Sequence, residues 1–311
     1  MKVIFMGTPE FAVGTLQAIT QAGHEVVLVV TQPDKPKGRG KEMAFPPVKE
    51  VALQKDIPVF QPIRVRETAC VEQLREYQAD VIVVVAFGQI LPQEILDLTP
   101  YGCINVHASL LPKYRGAAPI QWAIIDGEEV TGVTTMQMDA GLDTGDMLLK
   151  TEVPIQSNET GGSLHDKLMC AGAKLCVETL VALEQKSLVP EKQGESQTAY
   201  AKMLDKHLGN IDWTRPAREI ERLVRGLNPW PSAYSYLEDK MVKIWNVQVV
   251  DINENVELGS VTKVETNCFY VQTGEGQLVI KELQIQGKKR MGADAFLRGN
   301  QLSENTKFIR R

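Results

Sequence analysis

The chain has 311 residues, of which 43% are hydrophobic and 23% are charged, and this ordinary composition excludes a wholly disordered protein. The formal net charge is −5, with 39 acidic and 34 basic residues, which argues against a protein whose main task is to coat nucleic acid. No apolar run approaches the roughly 20 residues of a membrane span, so we expect no membrane contact.

The first half of the sequence alternates apolar strands with helical segments. Lys2–Met6 predicts a buried strand, and Thr8 is a candidate N-cap for a helix with Pro9 at its first position, ending near Gln21. Strands that are apolar throughout are typical of sheets covered by helices on both faces, so we predict a Rossmann-like, doubly wound and mostly parallel sheet. The further predicted strands are Glu25–Val30, Val81–Ala86, Cys103–Val106 and Thr131–Met138, and the further helices lie near 46–55, 67–77, 92–98, 117–126 and 163–183.

The second half has a different pattern. Pro190 and the polar residues after it predict a linker over 190–205, between an N-terminal domain (1–189) and a C-terminal domain (206–311). A helix near 216–227 precedes a proline-rich turn. Five short strands with no strong helices between them then predict a small, OB-like (oligonucleotide/oligosaccharide-binding) β-barrel. These strands are Tyr234–Leu237, Lys243–Val250, Gly259–Val264, Phe269–Thr273 and Leu278–Gln284.

The charge is divided unevenly between the two halves. Residues 1–205 carry a net −8 and residues 206–311 a net +3, although random scatter would also produce a difference of this kind. Within the acidic half, residues 31–49 hold five basic and two acidic side chains. Their alternation of basic residues with glycine suits contacts to phosphates, and a solvated flexible loop is the alternative.

The cysteines and the first turn exclude several kinds of site. The five cysteines are an odd number without a C-x-x-C pair, which favours a reducing cytoplasm and provides no zinc or disulfide framework. The turn after the first strand, Met6–Phe11, lacks the G-x-G-x-x-G pattern, and Pro9 and Phe11 stand where a pyrophosphate needs small residues. A nicotinamide site is therefore not expected, and neither is a metal.

Asn105 and His107 are the first candidates for chemistry. They lie two residues apart at the end of a predicted strand, so both side chains should point to one face, where such sheets bind ligands. An amide donor beside an imidazole can stabilise a developing oxyanion and move a proton. A hydrogen-bonded pair that only fixes a loop is the alternative.

The next candidate is the run Asp139–Asp146, which follows the last predicted strand of the first half. Its carboxylates do not have the spacing of an EF-hand, and glycine-rich turns with aspartate are commonly only turns. Because it also follows the carboxyl end of a strand, an aspartate from it could reach His107. A carboxylate beside an imidazole orients the ring and stabilises its charged form.

With these motifs, the chain resembles the methionyl-tRNA formyltransferase family over its full length. Two motifs are similar to signatures of enzymes that use 10-formyltetrahydrofolate, including the smaller glycinamide ribonucleotide formyltransferase: Asn105-Val-His107 with Ser109-Leu-Leu-Pro112, and Asp139-x-Gly-x-Asp143-Thr-Gly-Asp146. Three others are similar to the inserted loop and the C-terminal domain of the tRNA enzymes: Gln32-Pro-Asp34-Lys35-Pro36 through Gly38-Arg39-Gly40-Lys41, Asn228-Pro-Trp-Pro231 and Gly287-Lys-Lys-Arg290-Met291.

The resemblance implies transfer of a formyl group from 10-formyltetrahydrofolate, the consumed co-substrate, to the α-amino group of methionyl initiator tRNA. It implies that Asn105 and His107 bond the formyl oxygen and that Asp143 orients His107 and manages a proton. No metal is required, and nothing demands more than a monomer. The implied folate-binding residues are Phe87, Gly88, Gln89, Ile90, Leu91, Ser109, Leu110, Leu111 and Pro112, and the implied tRNA-binding residues are Lys35, Lys37, Arg39 and Lys41.

Two other functions stay open at this point. One is a formyltransferase with another acceptor, such as a nucleotide sugar or glycinamide ribonucleotide, against which the two basic regions argue. The other is a non-catalytic RNA-binding protein with a degenerate Rossmann-like half. That interpretation leaves Asn105, His107 and Asp143 together unexplained.

Overall fold

The computed structural model describes residues 1–37, 42–304 and 306–311. These residues form two compact units. The first unit comprises residues 1–119, 130–154 and 165–201, and the second comprises residues 120–129, 155–164 and 202–311. The predicted domain boundaries at residues 189 and 205 stay a prediction.

The strands and helices of the first part of the chain follow the predicted alternation. The strands are β1 (Lys2–Gly7), β2 (Glu25–Val30), β3 (Lys35–Lys37), β4 (Glu42–Ala44), β5 (Val59–Phe60), β6 (Val81–Val85), β7 (Cys103–His107), β8 (Val130–Gln137) and β9 (Met147–Pro154). The helices are α1 (Glu10–Gln21), α2 (Pro47–Gln54), α3 (Thr68–Arg75), α4 (Gln93–Leu96), α5 (Pro119–Asp126) and α6 (Gly161–Glu184).

The main sheet of the first unit has the strand order β5-β2-β1-β6-β7-β8-β9. The first five strands in this order are parallel to one another. Strand β8 is antiparallel to β7, and β9 is antiparallel to β8. The central strands β1 and β6 are almost wholly buried, as expected for a sheet covered on both faces. The predicted Rossmann-like, mostly parallel sheet is confirmed, with an antiparallel edge that includes the unpredicted strand β9.

The start of α1 differs from the prediction at Thr8. Pro9 occupies the N-cap position, and no side chain caps the helix. The Thr8 hydroxyl instead donates to the Phe87 carbonyl oxygen at 3.2 Å and accepts from the Gln32 N–H at 3.3 Å. Thr8 therefore joins the loops that follow β1, β2 and β6, and the predicted capping role is wrong because these partners use its hydroxyl.

The second unit contains an antiparallel sheet in the order β12-β13-β14-β11-β10-β16, and β15 pairs with β14. Its edges meet where residues 259–261 bond residues 306–308, so the sheet curls into the predicted OB-like barrel. Its core is a buried apolar cluster that includes Trp213, Phe269 and Phe308. The elements are α7 (Ala217–Gly226), β10 (Ala233–Leu237), β11 (Lys240–Val250), β12 (Val261–Val264), β13 (Phe269–Gln272), β14 (Gln277–Ile285), β15 (Met291–Gly292), α8 (Ala293–Gly299) and β16 (Phe308–Ile309).

Within the described ranges, no helix has both the length and the apolar character that crossing a bilayer would need.

Candidate active site

The candidate site lies on β7 and on the loops that surround it. The pairing of β7 with β8 places Asn105 opposite Met136 and His107 opposite Thr134. The side chains of Asn105 and His107 share one face, as their spacing predicts, because successive residues of a strand alternate. Asn105 is half-buried, whereas His107 is only 6% exposed.

Both ring nitrogens of His107 face oxygen atoms. Nε2 lies 3.0 Å from the carbonyl oxygen of the buried Tyr114, and Nδ1 lies 3.8 Å from Oδ2 of Asp143. A carbonyl oxygen can only accept, so Nε2 carries a hydrogen and donates it. A neutral ring therefore presents the lone pair of Nδ1 towards a carboxylate, and a proton taken up at Nδ1 is stabilised by Asp143.

The carboxylate of Asp143 accepts two hydrogen bonds, one from a side chain and one from the backbone. Its Oδ1 accepts from Nδ2 of Asn105 at 3.5 Å, and its Oδ2 accepts from the backbone N–H of Gly116 at 2.9 Å. Asp143 itself has a φ of 56°, in the left-handed region that few residues other than glycine adopt. Asn105, His107 and Asp143 are therefore brought together as predicted, and their catalytic roles stay a prediction.

The Asp139–Asp146 run follows the carboxyl end of β8, but this position does not by itself explain the contact with His107, because β8 runs antiparallel to β7. The carboxyl end of β8 therefore lies beside the amino end of β7, where Gln137 is opposite Ile104. Asp143 reaches Asn105 and His107 from the loop that joins β8 to β9.

The loop after β7 holds part of the proposed folate-binding set. The Ser109 side chain is fully buried, and its hydroxyl donates to the Lys113 carbonyl oxygen at 2.6 Å. Thr134 donates to the Ser109 carbonyl oxygen at 2.7 Å and accepts from the Leu111 N–H at 3.1 Å. Leu111 is also buried, whereas Leu110 and Pro112 are half-buried. Ser109 and Leu111 thus shape this loop from inside.

The loop after β6 holds the other part of the set. Phe87 and Leu91 are buried, Gly88 has a φ of 80°, and Ile90 is 83% exposed. Gln89 uses its side chain to accept from the Val65 N–H at 2.9 Å and to donate to the Pro62 carbonyl oxygen at 3.2 Å. The backbone turn and the exposed Ile90 are the parts of this loop that a ligand can contact.

The basic loop is described only at its base. Lys35 is exposed and lies on β3 with Lys37, and its ammonium donates to Oε1 of Gln32 at 2.7 Å. Arg39 and Lys41 lie outside the described residues.

Lys49, the last basic residue of this loop, does not add to its free positive charge. It forms an ion pair with Asp34 at 2.7 Å, and its ammonium lies 3.9 Å from the centroid of the Phe45 ring. Hydrogen bonds from Gln61 and Lys49 hold the pKa of Asp34 below its ordinary value. Lys49 therefore stabilises the base of the loop, and the sequence count of five basic residues overstates the charge available for phosphates.

The cysteine nearest the site is not a candidate nucleophile. Cys103 lies two residues before Asn105 and is fully buried, and burial raises the pKa of its thiol to about 12. Among the described residues, no group of His, Cys, Asp and Glu side chains is arranged to hold a metal ion.

The sequence interpretation missed Gly116 and Gln193 as residues near the site. Gly116 donates to Asp143, and Gln193 hydrogen-bonds the loop that carries Asp143. The signal for Gly116 is weak, since a single glycine a few residues after Pro112 is typical of any turn. Gln193 offered no signal, because a polar residue after Pro190 is typical of a linker.

A separate candidate surface lies on the second unit, around Trp245 of β11. The Arg290 guanidinium lies 4.9 Å and the Lys243 ammonium 5.6 Å from the centroid of the Trp245 indole ring. A groove of about 1050 Å³ beside Trp245 is lined by both basic and acidic side chains: Arg218, Arg222, Arg225 and Arg290, with Glu128, Glu129 and Glu221. An aromatic ring flanked by cations is suited to the bases and phosphates of a nucleic acid.

Both halves of the chain match family models of formyl transferases. Residues 1–180 match the family model described as formyl transferase, and residues 203–301 match the model described as formyl transferase, C-terminal domain. A methionyl-tRNA formyltransferase of Agathobacter rectalis is 59% identical over 99% of each chain. One of Clostridioides difficile is 52% identical over 96% of this chain and 97% of the other. The resemblance expected from the motifs is confirmed.

Solved structures share the fold at lower identity. WlaRD, a sugar 3N-formyl transferase solved in the presence of dTDP and 5-N-formyl-THF, has a TM-score of 0.67 at 21% identity and covers 93% of this chain and 99% of its own. HypX from Aquifex aeolicus, in complex with tetrahydrofolic acid, has a TM-score of 0.64 at 18% identity over 96% of this chain and 47% of its own.

Proposed function

Because this chain belongs to the formyl transferase family, we propose that it transfers a formyl group from 10-formyltetrahydrofolate to the α-amino group of methionyl initiator tRNA. The observation that carries the proposal is the 59% identity to a methionyl-tRNA formyltransferase over 99% of both chains, which includes the barrel unit. The product would be N-formylmethionyl-tRNA for translation initiation. We further propose that the protein works in the cytoplasm as a monomer.

The loops around the site fit a folate as formyl donor. Two large apolar side chains near the site are exposed: Ile90 in the loop after β6, and Leu142 next to Asp143. Exposed apolar surface of this kind suits an aromatic ring system, which polar backbone groups can orient. The proposed folate contacts are Phe87, Gly88, Gln89, Ile90, Leu91, Ser109, Leu110, Leu111 and Pro112, with the buried members supporting the loops from inside.

Asn105 is proposed to stabilise the negative charge that develops on the formyl oxygen as the amine attacks. Its amide has two hydrogens, and the described contacts use one of them, on Asp143 at 3.5 Å. The other hydrogen is available to the formyl oxygen. A fixed donor aimed at developing charge is typically the largest single contribution in acyl-transfer chemistry.

His107 and Asp143 are proposed to manage the proton that the attacking amine loses. The Nδ1 atom of His107 and the carboxylate of Asp143 are 3.8 Å apart, too far for a direct hydrogen bond but suitable for one bridging water or substrate atom. Proton uptake at Nδ1 gives an imidazolium beside a carboxylate. The same proton can then pass to the leaving nitrogen of the folate.

The tRNA is proposed to contact two basic regions. Lys35, Lys37, Arg39 and Lys41 would grip its acceptor end, and Arg290 with Trp245 would contact its outer face. Such contacts can be local, so a chain with a net charge of −5 can still bind one RNA end.

One assay separates this proposal from its rivals. The full-length protein is mixed with 10-formyltetrahydrofolate and methionine-charged initiator tRNA, and formylmethionine is measured, with charged elongator methionine tRNA as the control. Formylation of the initiator tRNA alone supports the proposal. Formylation of a sugar amine or of glycinamide ribonucleotide instead would assign another acceptor, and no transfer to any amine would favour a binding protein.

A further inference from the structure

The segment from residue 191 to residue 201 is attached to the first unit along its length. Glu191 and Met147 exchange two backbone hydrogen bonds of 2.8 Å. At the other end, the Ala201 N–H donates to the Arg115 carbonyl oxygen at 2.8 Å, and the Ala117 N–H donates to the Ala201 carbonyl oxygen at 2.8 Å. This part of the predicted linker therefore has fixed positions beside the loop that follows β7.

Gln193 uses both ends of its side-chain amide within this segment. Its Nε2 donates to the carbonyl oxygens of Asp143 at 2.9 Å and Gly145 at 2.7 Å. Its Oε1 accepts from Nε of Arg115 at 2.9 Å and from Nη2 of Arg115 at 2.8 Å. Carbonyl oxygens can only accept and a guanidinium can only donate, so the orientation of the amide follows from its partners.

The backbone that Gln193 holds is the backbone of Asp143, in a conformation that needs support. Asp143 has a φ of 56°, a left-handed conformation that aspartate adopts more readily than most residues but less readily than glycine. Within the same loop, the Asp139 carboxylate accepts from the Thr144 hydroxyl at 2.8 Å, which fixes the turn internally. The two bonds from Gln193 are what join this turn to Arg115.

We propose that Gln193, anchored by Arg115, is a positioning residue for formyl transfer. It fixes the backbone at Asp143 and so keeps the Asp143 carboxylate on the Gly116 N–H and near Nδ1 of His107. The proposal rests on the proposed function for its kinetic consequence, but the structural consequence does not depend on activity. The linker is then part of the active site as well as a connection.

The first test is kinetic and uses the full-length protein. Gln193→Ala removes every hydrogen bond of the side-chain amide, and Gln193→Glu keeps acceptors for Arg115 but places a carboxylate against two carbonyl oxygens. Both variants should lower kcat by about 10- to 100-fold, because small displacements of reacting groups are costly, and should leave the KM for 10-formyltetrahydrofolate within about twofold. Glu191→Ala, which removes only a pair with Lys150 at 3.4 Å, is the matched control.

A double-mutant cycle separates positioning from a general structural effect. If Gln193 acts through Asp143, Gln193→Ala should have little further effect on kcat in an Asp143→Ala background. An equal loss of kcat in both backgrounds would overturn the proposal, as would a wild-type kcat in Gln193→Ala. Absence of turnover in the wild-type protein would instead overturn the proposed function.

The second test does not need turnover. Hydrogen exchange of the Gly116 amide reports on its bond to Asp143, and Gln193→Ala should accelerate this exchange by about tenfold or more, whereas Glu191→Ala should not. Unchanged protection of Gly116 in a folded Gln193→Ala protein would show that Asp143 keeps its place without Gln193 and would overturn the inference.

Discussion

The backbone N–H of Gly116 donates to the carboxylate of Asp143 at 2.9 Å, so a glycine outside the predicted motifs fixes one of the candidate catalytic groups. Gly116 has a φ of 121°, a conformation that L-residues rarely adopt. A Cβ atom at this position would lie 2.6 Å from the Ala201 carbonyl oxygen and 2.7 Å from the Tyr200 ring. The position therefore has neither the conformational freedom nor the space for a side chain.

We expect Gly116→Ala to lower both stability and turnover. The free energy of unfolding should fall by about 1–3 kcal/mol, because the backbone is strained and a backbone oxygen must move. Displacement of the Gly116 N–H from Asp143 should also lower kcat. Denaturant unfolding and steady-state kinetics measure the two effects. Gly194→Ala is the control, since its added Cβ meets nothing within 4 Å, and equal effects of the two substitutions would contradict the argument.

His107→Ala and Asn105→Ala should each lower kcat by about 100-fold or more, the scale for losing an oxyanion donor or an acid–base partner. The measurement is single-turnover formylation of charged initiator tRNA. His165→Ala is a matched control, because His165 also pairs with an aspartate, Asp166 at 3.0 Å, but lies elsewhere on α6. Near-normal turnover in either site variant would remove that residue from the catalytic set.

The sequence predicted the candidate residues better than the way in which the fold assembles them. Asn105 and His107 follow from strand alternation, a local property that the chain itself encodes. The position of Asp143 depends on how the loop between β8 and β9 folds against β7, and the residue pattern of β8 does not show that this strand is antiparallel to β7. The role of Gln193 depends on contacts with residues about 50 and 78 positions away, which no local pattern records.

The same distinction applies to the fold. The continuous apolar runs of β1, β2 and β6 predict strands that are buried on both faces, and such strands are typical of a parallel sheet covered by helices. Strand β9 lies at the edge of the sheet, where half-buried residues alternate with exposed ones, so it lacks the continuous apolar run that identifies the central strands. The short elements α8 and β16 are stabilised by packing in the barrel rather than by their own sequences.

Arg39→Ala should weaken use of the aminoacyl-tRNA without changing folate affinity. Arg39 lies in the basic loop proposed to grip the acceptor end, and a guanidinium that contacts phosphate contributes to RNA binding but not to the formyl donor. The KM for charged initiator tRNA and the Kd for a folate analogue are measured separately. A loss of folate affinity would assign this loop to the folate site instead.

Arg290→Ala should weaken tRNA binding by the full-length protein and reduce its salt dependence. Arg290 lies against Trp245, and loss of one phosphate contact should lower the slope of log affinity against log salt by about one. Arg290 pairs with the Glu282 carboxylate at 2.5 Å. Arg298→Ala is the matched control, because Arg298 pairs with the Asp294 carboxylate at 3.0 Å but lies away from Trp245 on α8. Equal slopes in the wild-type and Arg290→Ala proteins would exclude Arg290 from the interface.

Asp34→Asn should remove a stabilisation that depends on pH in the acid range. Hydrogen bonds from Gln61 and Lys49 hold the pKa of Asp34 below its ordinary value of 3.8. The ionised form of Asp34 is therefore more stable in the folded protein than in the unfolded chain. The difference in unfolding free energy between wild type and Asp34→Asn should therefore be constant above about pH 5 and shrink as the pH falls below 3.8. Denaturant unfolding measured from pH 7 down to about pH 3 tests this.

The partner of Asp34 provides the control for that experiment. In a Lys49→Gln background the ion pair is absent, so the pH-dependent part of the Asp34→Asn effect should be smaller. Because the Lys49 charge is neutralised by Asp34, Lys49→Gln should lower the free energy of unfolding and leave tRNA affinity nearly unchanged. Arg39→Ala should instead lower tRNA affinity. A large loss of tRNA affinity with unchanged stability in Lys49→Gln would place Lys49 among the RNA contacts. An effect of Asp34→Asn on the free energy of unfolding that does not change with pH would exclude a perturbed pKa for the Asp34 carboxyl.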